Sequence, residues 1–481
     1  MQLRVIQKVL GLLLMVFSTT LIPPLAVSIY YNDGATISFI DAFFLTLATG
    51  LALFWPVRKE MAQLRLRDGF LVVVLIWSVL GIFGALPLYM HNPLNLSVTS
   101  AIFESLSGLT TTGATVIVGL DALPQSILYY RQQEQWLGGM GLIVLAVAIL
   151  PMLGIGGMQL YKAETPGPKK DKLTPRVAET AKALWYIYLT LTFVCMLAYW
   201  AAGMSLFDAI GHSFSTVAIG GFSTHDASLG FFNSRLIEMI AVVFMLVSGV
   251  NFALHFLAVR SLSVMPYARD SEFKAYALVL FLVTVITSTY LYLTHTEGFS
   301  DAFYDGIFHA VSIGTTTGFT TREYFNWPGF LPVMLLFASF IGGCAGSTGG
   351  GMKVIRVLLL FKQGMRELTR LIHPKAKILV KIGNQPMQDS VIDAVWGFFA
   401  TYVALFAVML LMMMAAGLDQ ITAFSAVAAC LNNLGPGLGQ VGANYASLGD
   451  GPLAILCIAM LLGRLEIFTF LVLFTPAFWK K

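Results

Sequence analysis

Four segments of the chain align without a gap, and each ends on glycine: Ser100–Gly113 (SAIFESLSGLTTTG), Asp208–Gly221 (DAIGHSFSTVAIGG), Asp305–Gly318 (DGIFHAVSIGTTTG) and Thr422–Gly435 (TAFSAVAACLNNLG). Ser100, Asp208, Asp305 and Thr422 each open a segment with a side chain able to accept bonds from the free N–H groups of a starting helix. The spacing therefore predicts four helices of ten-odd residues, about 15 Å long, each followed by a glycine turn. Such a helix reaches only half-way across a hydrocarbon core of roughly 30 Å.

The rest of the chain supplies that hydrocarbon setting. Of 481 residues, 57% are hydrophobic and only 11% charged, with a mean hydropathy of +0.78, which excludes an ordinary soluble domain. Apolar runs long enough to span fall at roughly 9–31, 39–56, 70–90, 136–158, 183–202, 236–259, 275–294, 330–361 (interrupted), 391–416 and 452–476. The first run follows Arg4 and Lys8, but Pro23-Pro24 interrupts it and no small-residue cleavage site follows, so it reads as a retained span. Cys195, Cys344, Cys430 and Cys457 lie in apolar or glycine-rich surroundings without metal-ligand spacing, and read as small buried hydrophobes.

Basic residues give the orientation. All but four of the 29 lysines and arginines cluster before the first span, after the second, at 162–182, 260–274 and 353–381, and at the end of the chain. These segments are expected to be cytoplasmic, as are both termini. The four half-helices then share the outer side, and the repeats run parallel rather than inverted. The expected organisation is all-α: a two-span hairpin (1–69) followed by four M1-P-M2 repeats at 70–182, 183–274, 275–390 and 391–481, arranged with pseudo-fourfold symmetry.

Each half-helix would aim its carbonyl end at the membrane centre, where the dipole favours a cation. Irregular backbone at that depth is tolerated only where protein buries it or water lines it, so four converging turns imply a pore. The residues before the glycines are Thr111-Thr112, Ile219-Gly220, Thr316-Thr317 and Asn433-Leu434, none of them charged. A cage of neutral carbonyls suits an easily dehydrated monovalent cation, whereas calcium sites usually recruit carboxylates.

The motifs TTTGAT (110–115), AIGGFSTHD (218–226), TTTGFTT (315–321), NNLGPGLG (432–439) and IGGCAGSTGGGMKVIR (341–356) resemble the Trk/Ktr/HKT superfamily of potassium transporters, over essentially the whole chain. The resemblance implies a selectivity filter with one glycine per repeat, Gly113, Gly221, Gly318 and Gly435. Thr111, Thr112, Ile219, Gly220, Thr316, Thr317, Asn433 and Leu434 would supply potassium-binding carbonyls. It further implies gated potassium uptake, a homodimer, and a cytosolic ring of nucleotide-binding regulatory subunits (TrkA-like). The nucleotide would sit on that ring, and this chain would bind no cofactor beyond potassium. A proton- or sodium-coupled potassium symporter is the alternative. No facing pair of catalytic side chains argues for an enzyme, and no nucleic-acid partner is expected.

Two anomalies sit in the spans. The run Gly342, Gly343, Cys344, Ala345, Gly346, Ser347, Thr348, Gly349, Gly350, Gly351 lies inside what should be a helix, where each glycine costs about 1 kcal/mol relative to alanine. The helix is expected to break there, in the third repeat alone, and the loop to hang across the path as a gate, which the resemblance also implies. Arg464 is an intramembrane charge that needs a partner. It reads either as a structural contact to a carboxylate or carbonyl, or as a charge restraining that loop, and the resemblance favours the second. Glu104, His212 and His309 share one column of the half-helices, with Ala426 in the fourth. That column reads as packing and hydrogen bonding rather than a proton relay.

Overall fold

The computed structural model describes residues 1–60, 64–141, 177–383 and 385–480. Among the described residues, six helices are long and apolar enough to cross a membrane: 3–31, 36–57, 67–90, 182–201, 271–293 and 389–415. The chain is a multi-pass membrane protein. The first helix is interrupted at Thr20–Leu21, just ahead of the prolines in Ile22–Tyr31. The expected span at 136–158 begins as Gln125–Gly139, and the remainder of that span, with most of the basic stretch 162–182, lies outside the described residues.

Two spans expected to be continuous are not. Arg235–Ser248 meets Phe252–Ser261 at 93°, and Asp450–Arg464 meets Phe468–Phe474 at 109°. A third break follows Leu331–Ile341, where the glycine run intervenes before Val354–Ile372. The broken helix is therefore not peculiar to the third repeat. Gly249 and Asn251 mark the first of these bends, but the bend after Arg464 uses Glu466 and Ile467 at positive φ (55° and 52°). Those backbone angles cost side-chain-bearing residues about 1–3 kcal/mol each, and a tertiary contact offsets this: Arg356, on the helix after the glycine run, pairs with the Glu466 carboxylate.

Between the long helices lie four short ones: Val98–Leu109, Leu206–Ala218, Phe299–Gly314 and Gln420–Leu431. Their starts correct the expected caps. Ser97, Ser205 and Asp419 are the capping residues, accepting bonds from the amides of Ser100, Asp208 and Thr422 at 3.0–3.1 Å. The third short helix begins six residues ahead of Asp305. Ser100, Asp208 and Thr422 thus stand in the first turn, three residues inside, where Asp208 completes the cap by accepting from Ser205 Oγ at 2.7 Å.

The short helices pack in cyclic order. Each touches the long helix before it, the helix after it, and the helix that follows the preceding short helix; for Val98–Leu109 that third neighbour is Asp450–Arg464, at the far end of the chain. The ring therefore closes on itself. Val98–Leu109 and Gln420–Leu431 share one apolar cluster that includes Phe103, Leu106, Ala426, Leu431 and Met460.

Candidate functional site

All four short helices end in the same way. The amides of Thr112, Gly220, Thr317 and Leu434 reach back five residues to the carbonyls of Ser107, Ser215, Ser312 and Ala429, at 2.7–2.8 Å. This closure requires a left-handed residue just before the donor. Thr111 (φ 56°), Ile219 (57°), Thr316 (71°) and Asn433 (53°) occupy it. Asparagine tolerates that conformation, whereas β-branched threonine and isoleucine are strained in it and persist only where the surroundings over-determine them.

Two residues on, Gly113, Gly221, Gly318 and Gly435 also take positive φ (78–98°), but their need for glycine is mainly one of contact. A β-carbon on Gly113 would lie 2.1 Å from the carbonyl oxygen of Gly220. One on Gly221 would lie 2.0 Å from that of Thr317, one on Gly318 2.1 Å from that of Leu434, and one on Gly435 2.7 Å from that of Thr112. Each glycine thus abuts the carbonyl preceding the next glycine, and four steps return to the start. The twelve residues expected to form the filter are brought together as four turns in a ring. Nine of them are buried, and only Gly113, Gly221 and Gly318 are in part accessible.

Side chains behind the ring hold the extended segments that leave it. Glu104 accepts from the Val116 amide (2.9 Å), Thr115 Oγ1 (2.9 Å) and Arg131 Nε (2.8 Å). Arg131 also donates to Thr115 Oγ1 (3.0 Å) and to the Ser223 carbonyl (3.3 Å), and lies over the Phe222 ring. In the same column, His212 donates through Nδ1 to the Asp208 carbonyl and accepts at Nε2 from Ser223 Oγ, both at 2.9 Å. His309 donates likewise to the Asp305 carbonyl and accepts from the Thr321 amide at 3.5 Å. Ala426 has no such group, and Ser425 beside it exchanges bonds with the Leu438 backbone at 2.8 and 3.1 Å. Tyr445 donates to the Gly435 carbonyl at 2.7 Å.

The 342–351 loop is stitched to the undersides of these turns. The Gly350 amide donates to Thr316 Oγ1 (2.7 Å), and that of Gly351 to the Asn432 carbonyl (3.0 Å). Thr348 Oγ1 reaches the carbonyls of Val217 (3.0 Å) and Ser248 (3.3 Å). The loop is tied further to the bend at 249–251, by Cys344 N–H to the Gly249 carbonyl and Phe252 N–H to the Gly346 carbonyl, and Glu272 accepts from the Ala345 amide at 2.7 Å. A β-carbon on Gly350 would sit 2.0 Å from the Asn432 carbonyl, so glycine is what lets the loop approach. Arg464 donates to the carbonyls of Gly138 (2.6 Å) and Thr348 (3.4 Å) and to Thr111 Oγ1 (3.3 Å). Its guanidinium also lies 5.3 Å from the Trp77 ring centroid. Loop and arginine together touch all four turns or the helices that carry them.

Several supporting residues escaped the sequence reading: Gln135, Tyr445, Thr348 as a bridge, and the Arg131–Glu104 pair. One signal was present. Arg131-Gln132-Gln133-Glu134-Gln135 is an unbroken polar run, and all five side chains are buried. Polar groups are placed so deep only where they have work as hydrogen-bond partners.

The segments that leave the first two turns carry a second polar cluster. His225 Nδ1 lies 2.5 Å from Asp121, and its Nε2 lies 3.5 Å from Asp208. The ring stacks on Phe231 at 3.4 Å. Burial alone would lower the His225 pKa, but the two carboxylates outweigh it and hold the value above the ordinary 6.5.

The sequence profile of the family described as "TrkH: Cation transport protein" matches residues 36–481. Over the full length of both chains, the sequence is 58% identical to the Trk system potassium uptake protein TrkH of Halomonas elongata and 55% identical to that of Escherichia coli K12. The fold superposes on the crystal structure of the potassium transporter TrkH from Vibrio parahaemolyticus with a TM-score of 0.91, at 54% identity and with both chains fully covered. With this sequence match along its length and this superposition, the chain belongs to the TrkH family of cation transport proteins, which are transporters and not enzymes.

Proposed function

We propose that the protein carries potassium into the cell across the cytoplasmic membrane, through a pore whose selectivity filter is the ring of four turns. Four M1-P-M2 repeats, preceded by the hairpin 1–69, surround that pore. The observation that carries the reading is the cyclic contact of Gly113, Gly221, Gly318 and Gly435 with the carbonyls of the neighbouring turns. Backbone carbonyls at the negative ends of four helix dipoles replace the hydration shell of a monovalent cation. The strained left-handed residues fix where those carbonyls point, so the cage keeps its size as ions pass.

The 342–351 loop is the gate, held closed by its bonds to Thr316, Asn432 and Val217 and by Arg464. The similarity of full-length relatives named as potassium uptake proteins supports potassium as the ion. In the same reading the protein works as a homodimer on a nucleotide-binding cytosolic ring, with both termini in the cytoplasm, and binds no cofactor itself. The test is reconstitution of the chain in liposomes with a potassium gradient. Rubidium uptake that follows this gradient with no pH or sodium gradient applied supports the pore. Uptake that requires either gradient favours the coupled symporter instead.

A further inference from the structure

The second turn departs from the other three in having Gly220 where they have Thr112, Thr317 and Leu434. Gly220 has no positive φ to require glycine. What fills the missing side chain's place is Gln135, from the end of the helix Gln125–Gly139, which belongs to the preceding repeat. A β-carbon on Gly220 would find its three nearest neighbours all on Gln135, at 2.4, 2.5 and 2.8 Å. The Gln135 side chain is fully buried. Its Nε2 donates to the Gly220 carbonyl at 2.6 Å, and its Oε1 accepts from the Phe222 amide at 3.0 Å.

These two backbone groups flank Gly221. A Gly-Gly pair is the most easily rotated link in the ring, because neither residue has a side chain to restrict it. The Gly220 carbonyl is also the one that Gly113 abuts. Gln135 grips it on one side while holding Phe222 on the other, so the intervening peptides cannot turn without breaking a buried hydrogen bond. The same helix continues the grip: Gln132 donates to the Phe222 carbonyl and Arg131 to that of Ser223, both at 3.3 Å. Elsewhere in the ring the corresponding position is held from within or by packing. Thr112 and Thr317 bond Thr110 and Thr315 at 2.7 Å, and Leu434 is buried in an apolar cluster.

We propose that Gln135 is a positioning residue for ion selectivity, holding the Gly220 carbonyl in the ring in place of the side chain that the second turn lacks. The proposal rests on reading the ring as the ion path. K⁺ and Na⁺ are told apart by the number and placement of carbonyls, so a carbonyl free to swing away relaxes that distinction.

The test is rubidium, potassium and sodium flux in liposomes for Gln135→Ala, Gln135→Leu, Gly220→Ala, the double variant Gln135→Ala/Gly220→Ala, and Gly113→Ser as reference. Gln135→Ala and Gln135→Leu are expected to lower the K⁺/Na⁺ flux ratio about tenfold, the scale of one lost buried hydrogen bond. Gly220→Ala alone is expected to reduce folded protein and uptake, because its methyl collides with Gln135; Gln135→Ala in the same chain should restore both, since it vacates that space. The proposal is overturned if Gly220→Ala is equally damaging in both backgrounds. It is also overturned if the Gln135 variants keep the original ratio while Gly113→Ser changes it. Should Gly113→Ser leave the ratio unchanged as well, the ion-path reading fails and the role of Gln135 fails with it.

Discussion

Arg464 donates a hydrogen bond to the carbonyl of Thr348, so a charge from the last broken helix is tied to the glycine-rich loop of the third. The same guanidinium also bonds Gly138 and Thr111 Oγ1. An arginine at this depth is costly unless such partners are present, and here it spends its donors on the loop and the ring together. Replacing Arg464 with Ala is therefore expected to release the loop and raise rubidium flux several-fold, with normal yield of folded protein. Unchanged flux would show that Arg464 does not restrain the loop.

Thr348 gives a milder test of the same contact. Thr348→Val keeps the shape but loses the bonds to the Val217 and Ser248 carbonyls, weakening the hold on the loop by about 1 kcal/mol. Flux should rise about fivefold, the population change that such an energy brings. Flux at or below the original level would show that these bonds do not hold the path shut.

The Glu104–Arg131 pair is completely buried, at 2.8 Å. Buried pairs of this kind contribute little net stability, but breaking one strands a charge and costs about 3–5 kcal/mol. Arg131→Met should therefore lower the thermal transition in detergent strongly, and adding Glu104→Gln should recover part of the loss. Equal melting of the single and double variants would indicate that the carboxylate is satisfied without Arg131.

His225 makes its cluster sensitive to pH. It is faced by the carboxylates of Asp121 and Asp208, by the Phe231 ring and by the His212 ring, and its pKa is held above 6.5. Its contribution is fully present below pH 6.5 and is lost as pH rises through the raised value, because the unfolded histidine has by then no proton to lose. Melting measured between pH 6 and about 9 should show stability falling with pH in the original and a flatter profile in His225→Gln. Parallel profiles would contradict this link between the segments that carry Asp121 and His225.

The part of this architecture legible in the sequence was the part written in local chemistry. Glycine at Gly113, Gly221, Gly318 and Gly435 marked the turns, and composition marked the bilayer. The starts of the short helices were misread by three or more residues, because Ser100, Asp208 and Thr422 are themselves good capping types. In each of these, the true cap stands one turn earlier. The bend at Leu465–Ile467 was hidden, since the nearby Gly463 lies within the helix, no glycine or proline stands at the bend itself, and its offset is the distant pairing of Glu466 with Arg356. Gln135 was marked only as the end of a polar run, without a role. Its meaning depends on Gly220, 85 residues away, and only the fold brings the two together.

The most direct measurement is the K⁺/Na⁺ flux ratio of Gly318→Ser in liposomes. Its β-carbon would meet the Leu434 carbonyl at 2.1 Å, and its backbone would keep a φ of 84° that serine rarely adopts. Displacing that one carbonyl should leave a folded protein that still passes ions but discriminates poorly between potassium and sodium. A folded Gly318→Ser protein that retains the original ratio would contradict the assignment of the four glycine turns as the selectivity filter.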